Sequence, residues 1–331
     1  TEQSTRRMMV DALIGLAPTV AVAIYVFQWY AVVQVGLCVL TCLAAEAVFA
    51  RMRGRPVPLG DYSAAVTGVI LGLSLPWSAP WYIAVLGSVV GLGLGKVVFG
   101  GLGCNIFNPA MVGRAFVMLS FAKQLGASAY QHGESTLKLA TEPMLKVVSE
   151  ATPLTAAKEA AANLAAGKDV SSSLQEQVES ANQLWSLFLG NVNGSLGETS
   201  AVALLVGGVY LCLRRTASWE IPAGVLLGAF LLAAALAPTP LTALNPVAQV
   251  LAGSLIFGAF FIATDPVSSP LTPKAKFLFG LGIGVLVVLI RLLSGYPEGV
   301  MFAVLLMNSA VPLLNRWTVP RPLGGPAPQK S

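Results

Sequence analysis

Thr152 is the side chain whose type and setting could carry chemistry in this sequence. It closes the run Ser149-Glu150-Ala151-Thr152, precedes Pro153-Leu154, and lies in a polar stretch between two strongly apolar halves. A threonine hydroxyl is a weak nucleophile at neutral pH, so a covalent group on it would need an outside catalyst. The same residue reads as an ordinary helix N-cap, with Pro153 at the first helical position. By pattern alone the cap is the better reading. Other reactive groups are few. There is one histidine, His132, and the cysteines (Cys38, Cys42, Cys104, Cys212) lack the spacing of a structural zinc site. Cys38 and Cys42 share a helix face and read as packing residues. Gly91-Leu92-Gly93-Leu94-Gly95-Lys96 invites comparison with a phosphate loop, but the spacing is wrong for one. In a membrane helix, repeated glycine means close packing instead. Catalysis by side chains alone is therefore not expected, and no metal site is.

The elements that must hold Thr152 are membrane helices. Of the 331 residues 55% are hydrophobic and only 11% charged, whereas soluble domains run near ~25% charged. Water is not the solvent for most of this chain. Apolar runs approaching the ~20 residues of a spanning helix predict ten spans: 11–28, 31–50, 62–75, 81–99, 109–121, 201–213, 221–236, 247–263, 277–293 and 300–314. The formal charge of +5 is then a matter of loops, not of nucleic acid. Arg6 and Arg7, Arg51, Arg53 and Arg55, Arg214 and Arg215, Lys274 and Lys276, and Arg316 and Arg321 all fall on the amino-terminal side. By the positive-inside rule both termini are cytoplasmic and the polar stretch is extracytoplasmic. The first residues are polar and basic, with no convincing small-residue cleavage site after the apolar run that follows.

The halves resemble each other. Ser74-Leu75-Pro76-Trp77-Ser78-Ala79-Pro80 aligns with Thr264-Asp265-Pro266-Val267-Ser268-Ser269-Pro270. Each follows a small-residue-rich span and precedes a Gly-rich one. With five spans per half the copies run in opposite directions, the pattern of an inverted repeat. The expected divisions are 1–121 as the first membrane repeat, 122–198 as the extracytoplasmic loop, 199–317 as the second repeat and 318–331 as a cytoplasmic tail. Within the loop, 155–166 is Ala-rich and helical, stopped by Gly167. Ser173-Leu174-Gln175-Glu176 is a capping box that opens a second helix.

Several stretches are similar to one family. Phe99-Gly100-Gly101-Leu102-Gly103-Cys104-Asn105-Ile106-Phe107-Asn108-Pro109-Ala110-Met111-Val112-Gly113-Arg114 resembles a signature of the D subunit of the Rnf electron-transport complex, RnfD. The B subunit of the sodium-translocating NADH:quinone reductase is related. Ala263-Thr264-Asp265-Pro266-Val267-Ser268-Ser269-Pro270, Gly295-Tyr296-Pro297-Glu298-Gly299 and Gly197-Glu198-Thr199-Ser200 match the same family. The resemblance implies an all-α, urea-transporter-like fold in the bacterial inner membrane. It also implies FMN joined through its phosphate to Thr152, within the motif that Ser149 and Ala151 help to form, attached by a separate flavin transferase. Glu150 stands where that motif usually has Gly, and Lys146 where Asp is frequent. The resemblance reverses the order of the two readings of Thr152 and puts the flavin acceptor first. It allows a second, non-covalent flavin (riboflavin).

The partners implied are other Rnf-type membrane and iron–sulfur subunits. The activity implied is ferredoxin:NAD oxidoreduction across the membrane, coupled to Na+ or H+ movement. A flavin supplies the redox chemistry, and the protein supplies its position. Asn105, Asn108, Arg114, Asp265 and Glu298 are the candidates for lining a central cavity, since polar groups inside a membrane default to functional hypotheses. Arg114 and Asp265 have a second reading, as ties between broken helix ends. The rival functions are a urea-transporter-like solute channel, which has no need of the Thr152 loop, and a structural subunit without flavin.

Overall fold

The computed structural model describes residues 4–122, 124–125, 153–165, 195–198, 200–237, 245–294, 296 and 298–319. Helices dominate, and among the described residues the extended pairing is limited to an isolated antiparallel bridge between Pro76 and Ser195. In the first half come α1 (Thr5–Phe27), α2 (Trp29–Met52), α3 (Ser63–Ser74), α4 (Trp81–Leu92) with a π turn over Gly93–Val97, and α5 (Pro109–Ser120). The loop contributes α6 (Pro153–Ala165). The second half holds α7 (Ala201–Leu213), α8 (Glu220–Leu236), α9 (Pro246–Leu251), α10 (Leu255–Phe257) with a π turn over Gly258–Ile262, α11 (Pro273–Leu293) and α12 (Val300–Thr318).

Helix starts follow from local chemistry. Ser4, Asn108, Ser200, Asn245 and Thr272 each accept a hydrogen bond from a first-turn amide, and Pro occupies the first turn of α5, α9 and α11. Gln28, at φ 51°, ends α1 and opens α2 without a loop. Four helices (α1, α2, α11, α12) are long and apolar enough to cross a membrane, and α3, the α4 segment, α5, α7 and α8 are shorter apolar helices. The 21 residues of α11 extend about 30 Å at 1.5 Å per residue, the thickness of a hydrocarbon core. The protein is a helical, polytopic membrane protein.

The expected span 247–263 is not one helix. It is interrupted at Ala252–Gly253–Ser254, where Gly253 adopts φ +69°. A Cβ there would stand 2.2 Å from Glu298 Oε2 and 2.7 Å from Leu154 Cδ1. No charge and no proline interrupts 247–263, so span length conceals a backbone break. Within the loop, the expected helix at 155–166 is present as α6; the helix expected after Ser173 and the tail 320–331 lie outside the described residues.

The halves meet closely along α1 and α7. A Cβ on Gly207 would lie 1.9 Å from Gly15 O, and one on Gly15 would lie 2.9 Å from Leu211 Cγ. Small residues are what permit backbones to approach in lipid, where helix association depends on packing. Asp11 anchors the same contact, accepting from Tyr210 Oη (3.2 Å), Arg214 Nη2 (3.3 Å) and Thr216 Oγ1 (3.1 Å). Gly207→Ala is expected to destabilise the chain by about 1–3 kcal/mol through overpacking. Thermal unfolding of the purified chain in detergent reads this, and an unchanged midpoint would show that the contact yields freely.

Candidate functional site

Segments from both halves build the first polar cluster. After the π turn of α4 the chain reverses through Gly100, Gly101 and Gly103, at φ +123°, +113° and +90°, and delivers Asn105 and Asn108. Both are buried, at 5% and 4% exposure. The Asn108 side-chain oxygen accepts from Ala110 N (3.0 Å) and Met111 N (3.4 Å), capping α5, while its Nδ2 donates to Ile262 O (3.2 Å) in the second half. Asn308 of α12, in the amide orientation that satisfies both its ends, donates to Ser268 O (3.3 Å) and accepts from Asn108 N (3.1 Å). Asp265 accepts from Ser268 Oγ (2.8 Å) and Val267 N (3.3 Å), and Asn105 Nδ2 donates to Phe107 O (3.2 Å).

Asn105, Asn108 and Asp265 thus come together, with Ser63, Thr67 and Lys96, around a cavity of about 80 Å³ whose other walls are largely apolar. Asn105 Oδ1 is buried and has no hydrogen-bond partner among the described residues. Buried polar atoms are ordinarily satisfied, so this oxygen is suited to a donor from water or a ligand. Asn308 escapes a reading of the sequence alone; an asparagine within an apolar helix is its visible signal.

Arg114 and Glu298 lie away from this cavity. Glu298 pairs with Arg291 (3.2 Å) and accepts from Ser254 N (3.1 Å) and Gly299 N (3.2 Å). Arg291 Nη1 donates to Gln249 O (2.6 Å) and Nη2 to Ala252 O (3.0 Å). One guanidinium therefore satisfies carbonyls freed by the break between α9 and α10. Arg114, on α5, feels the carboxylates of Glu198 and Glu298, and its Nη1 is buried without a hydrogen-bond partner among the described residues. The segment holding Glu198 closes the end of α3, since Leu196 N donates to Leu75 O (3.1 Å) and Gly197 N to Leu73 O (2.7 Å).

The loop helix docks beside this second cluster. Leu154 of α6 is buried next to Gly253, and Lys158 donates to Ser294 O and to Tyr296 O (3.4 Å). Partial burial pushes the Lys158 ammonium below its ordinary pKa. Ser149, Ala151 and Thr152 lie outside the described residues. In the sequence Thr152 immediately precedes Pro153, the first residue of α6.

A third polar group carries no sequence signature that links its members. Lys96 forms a salt bridge with Glu46 and donates to Ser63 Oγ (2.6 Å), which donates in turn to Asp61 Oδ1 (2.6 Å). Glu46 and Lys96 are 4% and 3% exposed. Gly91 and Gly95, in the run that mimics a phosphate loop, pack against Pro109 and Gly113 of α5.

Residues 1–324 match the model of the NQR2, RnfD, RnfE family. The chain belongs to that family. It is 38% identical over 325 residues to the D subunit of the Na(+)-translocating ferredoxin:NAD(+) oxidoreductase complex of Acetobacterium woodii, covering 98% of this chain and 92% of the relative. It is 39% identical to the D subunit of the ion-translocating oxidoreductase complex of Halorhodospira halophila, over 96% of this chain and 91% of that one. The corresponding protein of Stutzerimonas stutzeri is 40% identical, with 97% and 92% covered. The RnfD resemblance read from the Asn105–Asn108 and Asp265 signatures therefore extends through nearly the whole chain. In this family member those two signatures meet in space, Asn108 being bonded to the segment that leads into Asp265.

Proposed function

We propose that this chain is the D-type membrane subunit of an Rnf ferredoxin:NAD oxidoreductase, carrying FMN on Thr152 and serving electron transfer across the membrane coupled to Na+ or H+ movement. The observation that carries this reading is the 38% identity, over 98% of the chain, to the D subunit of a Na(+)-translocating ferredoxin:NAD(+) oxidoreductase complex. A rival solute channel would have no use for the Thr152 loop.

The residues near Thr152 suit a phosphate-linked group. The first-turn amides of a helix have no intrahelical partners, and the positive end of its dipole favours an anion. Thr152 directly precedes the 13-residue α6, whose Leu154 and Lys158 hold it against the Gly253 and Ser294 turns. When bound, FMN supplies one- and two-electron redox chemistry. What this chain contributes is a docked anchor helix whose Leu154 meets, at the Gly253 turn, the Arg291 and Glu298 charges. The second flavin, riboflavin, is a poorer match to the Asn105 cavity as it stands. Its donors and acceptors are suitable, but about 80 Å³ is well below the ~300 Å³ of small-molecule pockets.

The ten-span inverted repeat is part of the same reading. In its support, α3 and the π turn after α10 each end in a Pro-containing non-helical segment, 75–80 and 263–272. The first helices of the two halves, α1 and α7, also pack on each other. Both termini face the cytoplasm in this reading, the loop 122–198 faces outward, and the membrane is the bacterial inner one. The partners are the remaining Rnf-type membrane and iron–sulfur subunits, and a flavin transferase matures the chain.

The test is a denaturing gel viewed under ultraviolet light, on chain made in cells that hold the transferase. Wild type should fluoresce, and its Thr152 peptide should carry the mass of FMN less water. Thr152→Ala should be dark and should lose essentially all electron transfer by the assembled complex. A dark, unmodified wild-type band would sink the proposal.

A further inference from the structure

A second cavity, of about 290 Å³, opens at the basic end of the first half. Phe49 and Arg53 from the end of α2, Arg55 from the following loop, Lys96 from the π turn, and Gly100 and Gly101 surround it. Its charge is lopsided. Lys96 is neutralised by Glu46, whereas Arg53 and Arg55 form no ion pair among the described residues. Each uses one hydrogen bond to fasten itself to the far wall, Arg53 Nη1 to Val97 O (2.6 Å) and Arg55 Nη1 to Gly100 O (2.9 Å). A guanidinium carries five N–H donors in a fixed fork, so most of both forks stay available. Two anchored, uncompensated arginines on one cavity match the recognition geometry of a phosphate.

The surroundings indicate which phosphate. Val48 on α2, Leu94 in the π turn and Val98 just after it are exposed at 51%, 56% and 67%. These apolar side chains lie next in sequence to the residues of the basic cavity, on the same helix ends. A ligand with a phosphate head and hydrocarbon tails would satisfy the cavity and this surface together. Basic pockets at the ends of membrane helices bind anionic headgroups in this way.

We propose that Arg53 and Arg55 form a headgroup site for an anionic phospholipid, with the acyl chains laid along the Val48, Leu94 and Val98 surface. The two arginines line this cavity and not the Asn105 cavity, which adjoins it through Lys96 and Leu102. The alternative source of the same chemistry is a free phosphate from solution, which would use the arginines and ignore the apolar surface.

The experiment uses the full-length chain, delipidated in a neutral detergent, and follows thermal unfolding and native mass spectra. Three probes are titrated: phosphatidylglycerol, phosphatidylcholine and inorganic phosphate. Phosphatidylglycerol is expected to raise the unfolding midpoint and to remain bound in the mass spectrum, with phosphatidylcholine at least tenfold weaker. The double variant Arg53→Gln/Arg55→Gln should lose at least tenfold in phosphatidylglycerol affinity. Arg51→Gln, at an exposed arginine outside the cavity, should match wild type. If the double variant does not fold, Arg55→Lys, which keeps the charge but not the fork, should bind phosphatidylglycerol measurably less well than wild type. Stabilisation by inorganic phosphate in place of the lipid would overturn the lipid assignment. Equal binding of phosphatidylglycerol to wild type and the arginine variants, or no preference over phosphatidylcholine, would overturn the site.

Discussion

Arg291→Met is expected to cost about 3–5 kcal/mol, the range for removing one partner of a buried ion pair. Arg291 is 4% exposed. It bonds the carbonyls of Gln249 and Ala252 as well as the Glu298 carboxylate. These carbonyls exist as free acceptors because the chain breaks between α9 and α10, so the arginine replaces the missing helical hydrogen bonds. Methionine fills much of the volume and supplies no donor. The two carbonyls are then left without their donor, at about 1–3 kcal/mol for each buried unsatisfied acceptor, whereas the Glu298 carboxylate, 23% exposed, keeps some access to water.

Two further substitutions separate this account from a simple loss of charge. Arg291→Lys should recover little, because an ammonium on a flexible stem cannot fork to two carbonyls and a carboxylate at once. Glu298→Gln should be milder, about 1–3 kcal/mol, since its one amide oxygen can replace only one of the two carboxylate oxygens that accept from Ser254 N and Gly299 N and the other N–H loses its partner. Thermal or chemical unfolding of the purified chain in detergent measures all three. If Arg291→Met unfolds within about 0.5 kcal/mol of wild type, the range of ordinary surface changes, the guanidinium does not hold the break.

Much of the architecture was legible because lipid imposes a simple rule: a spanning helix must be long and apolar. That rule found α1, α2, α11 and α12, and α6 was visible through its Ala-rich run and Gly167. It failed at 247–263, where the interruption depends on a glycine φ and on donors from α11 that no apolar count reports. The site was legible in parts. Asn105, Asn108 and Asp265 could be named from their signatures, yet their meeting requires hydrogen bonds between the halves, such as Asn108 to Ile262 at a separation of 154 residues. Glu46, Lys96 and Arg291 were in plain view as charges within apolar runs, which is itself a signal. Their partners were not, because Glu46 and Lys96 are 50 residues apart and no periodicity links them. Thr152 rests on family resemblance, and the structure adds only the docking of the helix that follows it.

Lys96→Met is the companion expectation, again about 3–5 kcal/mol, but by a different route. Here the stranded group is the Glu46 carboxylate, 4% exposed, whose Oε2 already lacks a hydrogen-bond partner among the described residues. Ser63 Oγ keeps its bond to Asp61, so the loss falls on Glu46. The double variant Glu46→Leu/Lys96→Met should therefore recover most of the stability, since a buried ion pair exchanged for apolar residues of similar volume is often neutral or better. The cycle through both single variants should show a coupling of at least ~2 kcal/mol, within the range seen for contacting residues. The Asp11–Arg214 pair offers a contrast within the same molecule. Its arginine side chain is 41% exposed, and Tyr210 and Thr216 also donate to Asp11, so it belongs among pairs worth about 0–1 kcal/mol. Lys96 lines both the Asn105 cavity and the Arg53 cavity, and water entering from either side would lower its cost toward that of Arg214. A Lys96→Met penalty below about 1 kcal/mol, with no recovery in the double variant, would mean that the pair is solvated through those cavities and that Glu46 finds water in place of the ammonium.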